Sequence, residues 1–255
     1  MILAVDMGNT NIVIGCVDNE KIHFEERIST DYSKTEIEYY VLFKTVLELH
    51  KIDDSMIKGA IISSVVPPLI KIVKNAIFKL AGIEPLIVGP GVKTGLNIMM
   101  DNPKQVGSDL IVDAVAGIHE YGAPIAIVDI GTATTISVVD KNKNYIGGVI
   151  MPGVISSSDS LVERTAQLPR VSLEAPDKVI GKNTIDCMKS GIILGNASCI
   201  DGMLDRIEEQ LGYKVTAIAT GGLSKVIIPN CKHKIIEDQE LLLKGLKVIY
   251  DKNMQ

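Results

Sequence analysis

An α/β fold of two similar domains is what this 255-residue sequence predicts. Short apolar, β-branched runs alternate with stretches of helical spacing along the chain. A unit of strand, Asp, apolar residue, Gly, small polar residues and second strand occurs twice, around Asp6 and Asp129, 123 residues apart. That spacing is close to half the chain and far longer than a solenoid repeat, so it suggests two like domains facing each other. The length agrees, since domains run to roughly 100–200 residues.

Residues 2–6 and 11–17 read as two strands around the turn at 7–10, and 21–28 offers a third strand. Residues 35–50 have helical spacing with an acidic first turn. The run at 57–66 reads as a buried strand, and Pro67 and Pro68 open a helix to about Ala81. Residues 85–88 form another strand. Pro103 then stands near the first turn of a helix reaching about Ile118. Three strands follow the break at Tyr121 and Gly122, over 125–129, 134–140 and 145–150. A short helix is expected within 151–170, the longest helical stretch over 182–211, a strand at 215–220 and a closing helix at 238–252. Domain one spans 1–118 and domain two 119–255, with the last helix able to cross back.

Composition narrows the function classes. Net charge is −5, so a phosphate backbone or anionic membrane finds no clustered cations to hold it. With three Phe, seven Tyr and no Trp, stacking platforms for single-stranded nucleic acid are not expected either. No apolar run approaches the length of a membrane span. The N-terminal segment lacks a basic region ahead of its short apolar run, which Asp6 interrupts; no signal peptide is expected. Cys16, Cys187, Cys199 and Cys231 form no CxxC pair, so reduced thiols in a cytoplasmic protein are expected. His50 and His119 read as surface or helix-end residues, and the Lys-rich stretch 225–234 as a solvated face.

The chemistry sits in the repeated turn. A strand delivers a carboxylate to its end, and Gly lets the backbone turn tightly. The turn's amides and hydroxyls then make an anion cradle. A carboxylate beside such a cradle makes sense when a cation lies between it and the anion. One copy could be an ordinary hairpin turn. Two copies at half-chain spacing point to a polyphosphate held by two turns.

These residues resemble the sugar kinase, Hsp70 and actin superfamily of two-domain ATPases, and within it type III pantothenate kinases over nearly the full length. The first phosphate motif stands as Asp6, Met7, Gly8, Asn9, Thr10, Asn11, Ile12 and Val13. The second runs from Asp129 through Gly131 and Thr132 to Thr134. The G-x-D motif is Gly107, Ser108, Asp109. Pro152-Gly153, Leu168-Pro169-Arg170, Gly181 to Thr184, Ile200 to Gly202 and Thr220 to Leu223 follow in the family's order. The resemblance implies two ribonuclease-H-like, actin-like ATPase domains with a cleft between them. It implies transfer of the ATP γ-phosphoryl group to the primary hydroxyl of pantothenate, the first step of coenzyme A synthesis, and a homodimer.

By that resemblance, Asp6 positions Mg²⁺ on the phosphates, Thr132 contacts phosphate, and Asp129 holds a monovalent cation, K⁺ or NH₄⁺. Asp109 is the base that takes the hydroxyl proton. It also suits a helix start, and the residues alone leave base and cap level; the resemblance selects the base. Gly107, Ser108, Leu110 and Thr184 line the acceptor pocket, although Thr184 also suits the N-cap of the long helix. Asp113, one turn beyond Asp109, reads as a structural hydrogen-bonding residue. Two positions depart from the family. Leu110 stands where many members carry Arg, and Met100 where many carry Tyr, and neither can donate a hydrogen bond to the acceptor. A nucleotide-binding regulatory paralogue with an altered acceptor site is therefore the alternative.

Overall fold

The structure is a computed structural model and describes residues 1–254. In chain order its strands and helices are β1 (Ile2–Met7), β2 (Asn11–Val17), β3 (Ile22–Ser29), α1 (Glu36–Leu49), β4 (Gly59–Ser64), α2 (Pro67–Ala81), β5 (Leu86–Ile87), β6 (Asn97–Ile98) and α3 (Ser108–Tyr121). They continue with β7 (Ile125–Ile130), β8 (Ala133–Val139), β9 (Asn144–Pro152), α4 (Val154–Glu163), α5 (Thr184–Lys189), α6 (Gly195–Leu211), β10 (Thr216–Thr220), α7 (Ser224–Ile227), β11 (Ile235–Glu237) and α8 (Leu241–Met254). Two compact units result. The first holds Met1–Leu96, Asp101–His119 and the segment from Glu240; the second holds Asn97–Met100 and Glu120–Gln239.

The first unit is a five-stranded sheet in the order β3-β2-β1-β4-β5. β1 pairs antiparallel with β2 and parallel with β4, while β2 pairs antiparallel with β3 and β4 parallel with β5. Strand alternation assigns the faces. Leu3, Val5 and Met7 enter a core with Tyr39, Phe43, Leu69, Val73 and Ile77 from α1 and α2. Ile2 and Ala4 enter a second core with Val112 and Val115 of α3 and Leu243, Leu246 and Ile249 of α8. Each fully buried Leu or Ile of α8 contributes about 1.5–3 kcal/mol. The closing helix therefore belongs to the first unit, covering the strands that open the chain.

The helix ends follow local chemistry. Thr35 and Glu38 form a capping box at α1, Thr35 N–H donating to Glu38 Oε2 at 2.7 Å. α2 starts on Pro67 and Pro68 and stops at Gly82. Sequence placed Pro103 near the start of one helix to residue 118. Instead Pro103–Gln105 is an isolated 3₁₀ turn, extended Val106 breaks the chain direction, and α3 starts at Ser108. The two-residue β6 and three-residue β11 are too short to show periodicity, and sequence missed both.

The second unit repeats the plan. Its six-stranded sheet runs β11-β10-β7-β8-β9-β6. β7 pairs antiparallel with β8 and parallel with β10, just as β1 does with β2 and β4, and β6 adds a parallel edge beside β9. Ala126, Val128 and Ile130 pack on Met188, Ile193, Ala197, Ile200 and Leu204 of the long helical stretch. That stretch spans α5, a π-helical turn at Ser190–Leu194 and α6. Asn196 Nδ2 donates to the Ile192 carbonyl at 2.6 Å, serving a carbonyl at the widened turn. Among the described residues no helix is long and apolar enough to cross a membrane.

Gly245 lets α8 pack closely on α3. A Cβ there would fall on the Val112 carbonyl of α3. Gly245→Ala should therefore lower unfolding free energy by about 1–3 kcal/mol through overpacking, measured by urea denaturation.

Candidate active site

Asp6 is buried near the end of β1, opposite Val13 of β2 and Ser63 of β4. By alternation it lies on the face that α3 and α8 cover. The turn after it closes with Gly8 N–H donating to Asn11 O at 2.9 Å. Thr30 ties the turn down from the end of β3. Its hydroxyl donates to Gly8 O at 2.6 Å and its N–H to Thr10 O at 2.9 Å. Asn9, Thr10 and Asn11 are exposed. Met7 and Ile12 are fully buried against α1 and α2, and Val13 is buried in the opposite core. These three can therefore meet a ligand only through their main chain.

The G-x-D segment reaches the same end of the same sheet. Ser108 Oγ accepts from Ser64 N–H at 3.0 Å and from the Ser63 hydroxyl at 3.0 Å, and donates to Ser64 O at 2.9 Å. These bonds fix the first turn of α3 against the end of β4, beside the strand that carries Asp6. Asp109 follows directly, half-buried, with Oδ1 accepting Leu110 N–H at 2.9 Å. Burial pushes its carboxyl above the ordinary carboxylate value, against the lowering effect of backbone hydrogen bonds. Asp113, one turn along α3, is buried.

The second turn is built alike. Gly131 N–H donates to Ala133 O at 3.0 Å. Asp129 stands opposite Thr135 of β8 and Thr220 of β10, the positions corresponding to Val13 and Ser63 around Asp6. Gly221 (φ +93°) lies directly on this carboxylate, since a Cβ there would fall on Asp129 Oδ1 and the Ile130 backbone. α4 starts beside the turn, with Ser156 Oγ donating to Thr132 O at 3.2 Å. Thr135 Oγ1 and Thr134 Oγ1 are buried and have no hydrogen-bond partner.

Both turns offer hard oxygen donors only, as Mg²⁺ or K⁺ requires. The orphan Thr135 hydroxyl, in register with Asp129, gives the second turn a further oxygen for a cation. The residues present thus fit the cations that the family implies.

Thr184 is the exposed first residue of α5. The N-cap is Asn183, whose Oδ1 accepts Asp186 N–H at 2.9 Å, so the cap lies one residue earlier than the alternative reading of Thr184. Leu110 is half-buried on α3, and Met100 is exposed. His50 caps the end of α1, stacked on Phe24 with ring centroids 4.3 Å apart. All four cysteines are free, and burial raises the Cys16 and Cys231 thiols to about 12.

Two stability outcomes follow. Replacing the orphan hydroxyl in Thr134→Val removes a buried unsatisfied group at nearly constant shape and should raise unfolding free energy by about 1 kcal/mol in urea titrations. For Asp109 the folded pKa exceeds the unfolded one, so its contribution is most favourable below the unfolded value and is lost as pH rises through the folded value. Asp109→Asn should therefore gain stability relative to wild type as pH rises from acid to neutral, read from denaturation midpoints across that range.

Several solved structures share this fold. One, from Campylobacter jejuni and assigned as a conserved Baf family transcriptional activator, aligns at TM-score 0.61 and 21% identity, covering 99% of each chain. Component A of (R)-2-hydroxyglutaryl-CoA dehydratase from Acidaminococcus fermentans aligns at 0.59 and 12%, covering 100% of this chain and 99% of that one. A Sinorhizobium meliloti protein assigned as a 2-dehydro-3-deoxygalactonokinase aligns at 0.58 and 12%, covering 99% and 96%. At these identities the likeness establishes the fold, that of the sugar kinases and actin-like ATPases. The family model for type III pantothenate kinases matches residues 2–206, which includes both Asp-x-Gly turns, the G-x-D segment and Thr184. This chain belongs to the type III pantothenate kinase family.

Proposed function

We propose that the protein transfers the γ-phosphoryl group of ATP to the primary hydroxyl of pantothenate, giving 4′-phosphopantothenate and ADP in the first step of coenzyme A synthesis. The observation that carries this reading is Asp109, half-buried, held at the strand end of the unit that carries Asp6 and kept above its ordinary pKa by burial. The acceptor oxygen forms a bond to the γ-phosphorus, the bond from that phosphorus to the bridging oxygen of ADP breaks, and the hydroxyl proton passes to the Asp109 carboxylate. The exposed residues Asn9, Thr10 and Asn11 and the turn amides hold phosphate oxygens, and Thr132 does so from the second turn. Asp6 would hold Mg²⁺, largely through water, and Asp129 a K⁺ or NH₄⁺ ion, with Thr135 beside it. These cations neutralise phosphate charge when bound. Gly107, Leu110 and Thr184 face the acceptor. A cytoplasmic homodimer completes the proposal.

Leu110 and Met100 favour a second reading, a regulatory relative that binds nucleotide without acceptor chemistry, because neither side chain can donate to the acceptor's carboxylate or hydroxyls. One assay separates the two. Incubated with ATP, Mg²⁺, K⁺ and pantothenate, the protein should release ADP and phosphopantothenate in equal amounts, detected by mass spectrometry. Removal of the base in Asp109→Asn should lower kcat by about 10²–10⁴-fold. The acid limb of the wild-type pH profile, where the carboxylate is protonated and idle, should vanish with it. ATP binding by calorimetry with neither pantothenate binding nor turnover would decide for the regulatory reading, and a panel of other alcohols would then test for a changed acceptor.

A further inference from the structure

A serine at the start of a helix ordinarily caps its own helix, accepting an amide two or three residues on. Ser108 does otherwise. A hydroxyl has one proton to donate and two lone pairs to accept with, and Ser108 commits all three to β4: the proton to Ser64 O, the lone pairs to Ser64 N–H and the Ser63 hydroxyl. Nothing remains for a substrate oxygen. Ser63 is fully buried and is the direct strand partner of Asp6, and Ser64 Oγ in turn accepts Val66 N–H at 2.9 Å where α2 begins. The residue attached to Ser108 is Asp109. The serine cluster thus ties β4, the direct neighbour of the strand that carries Asp6, to the helix turn that carries Asp109.

We infer that Ser108, backed by Ser63, is a positioning residue: it sets the Asp109 carboxylate relative to the Asp6 strand end and does not contact the acceptor itself. This rests on Asp109 as proton acceptor. A displacement near 1 Å at a reacting group costs on the order of 10²-fold, so loosening the tie should be visible in turnover. Ser108→Ala should lower kcat roughly 10- to 100-fold while leaving KM for ATP and pantothenate within about twofold. Ser63→Ala, which removes one of the three bonds, should give a smaller loss, and Ser108→Thr, which keeps the hydroxyl, should recover most of it. Wild-type kcat in Ser108→Ala would overturn the inference. So would a raised pantothenate KM at unchanged kcat, the mark of a residue that binds the acceptor. If Ser108→Ala does not fold, Ser63→Ala and Ser108→Thr carry the same test, and wild-type kcat in Ser63→Ala then overturns it. Asp109→Asn separates the two layers. Full turnover there sinks the base assignment, whereas an inactive Asp109→Asn beside a fully active Ser108→Ala sinks only the positioning role. A readout without turnover covers a protein that does not phosphorylate pantothenate. The Asp109 carboxyl carbon signal, identified by its loss in Asp109→Asn, should shift at fixed pH in Ser108→Ala, and an unshifted signal refutes the tie.

Discussion

A carboxylate at the end of a central strand paired on both sides is the constraint from which both candidate sites grow. β1 and β7 each carry an antiparallel neighbour on one flank and a parallel one on the other. Their main-chain groups are therefore spent in the ladders, and each strand changes from apolar to charged only near its end, at Asp6 and Asp129. The next residues must turn back into the antiparallel partner, which brings the short amide-rich segment beside the carboxylate. Site and sheet are one construction, repeated.

The copies have diverged in what stands next to the carboxylate. Around Asp6 the flanking positions are Val13 and Ser63; around Asp129 they are Thr135 and Thr220. The first copy carries one hydroxyl there, already bonded to the G-x-D serine. The second carries two, one of them buried without a partner. In a packed interior such a hydroxyl costs stability, so its retention beside a charged group fits a place where a ligand supplies the missing bond. The asymmetry is one of connection: the first copy is tied to the start of α3, whereas the second keeps a buried hydroxyl without a partner.

Much of this was legible beforehand because it is periodic or local. The run at 57–66, the Pro67–Pro68 helix start and the doubled Asp-x-Gly turn carry their own signals, and each stands in the structure where its residues placed it. What sequence missed is non-local. β6 and β11 exist because a neighbouring strand offers an edge, and two or three residues have no periodicity of their own. The break between Pro103 and Ser108 was hidden because an apolar run such as Leu110–Val115 reads as helix whatever precedes it. Ser108 offered the least warning. Its partners Ser63 and Ser64 lie more than forty residues earlier, and nothing in Gly-Ser-Asp says that the middle hydroxyl bonds to β4.

Helix α8 has a consequence for how the molecule is made. Strands β1 to β4 leave the ribosome well before Leu243, Leu246 and Ile249, the residues that cover one face of their sheet in part. Nearly all of the second unit, by contrast, is a single uninterrupted stretch of chain. During synthesis the second unit can therefore close while the first still waits with a greasy surface bare, the interval in which a nascent chain most needs a chaperone.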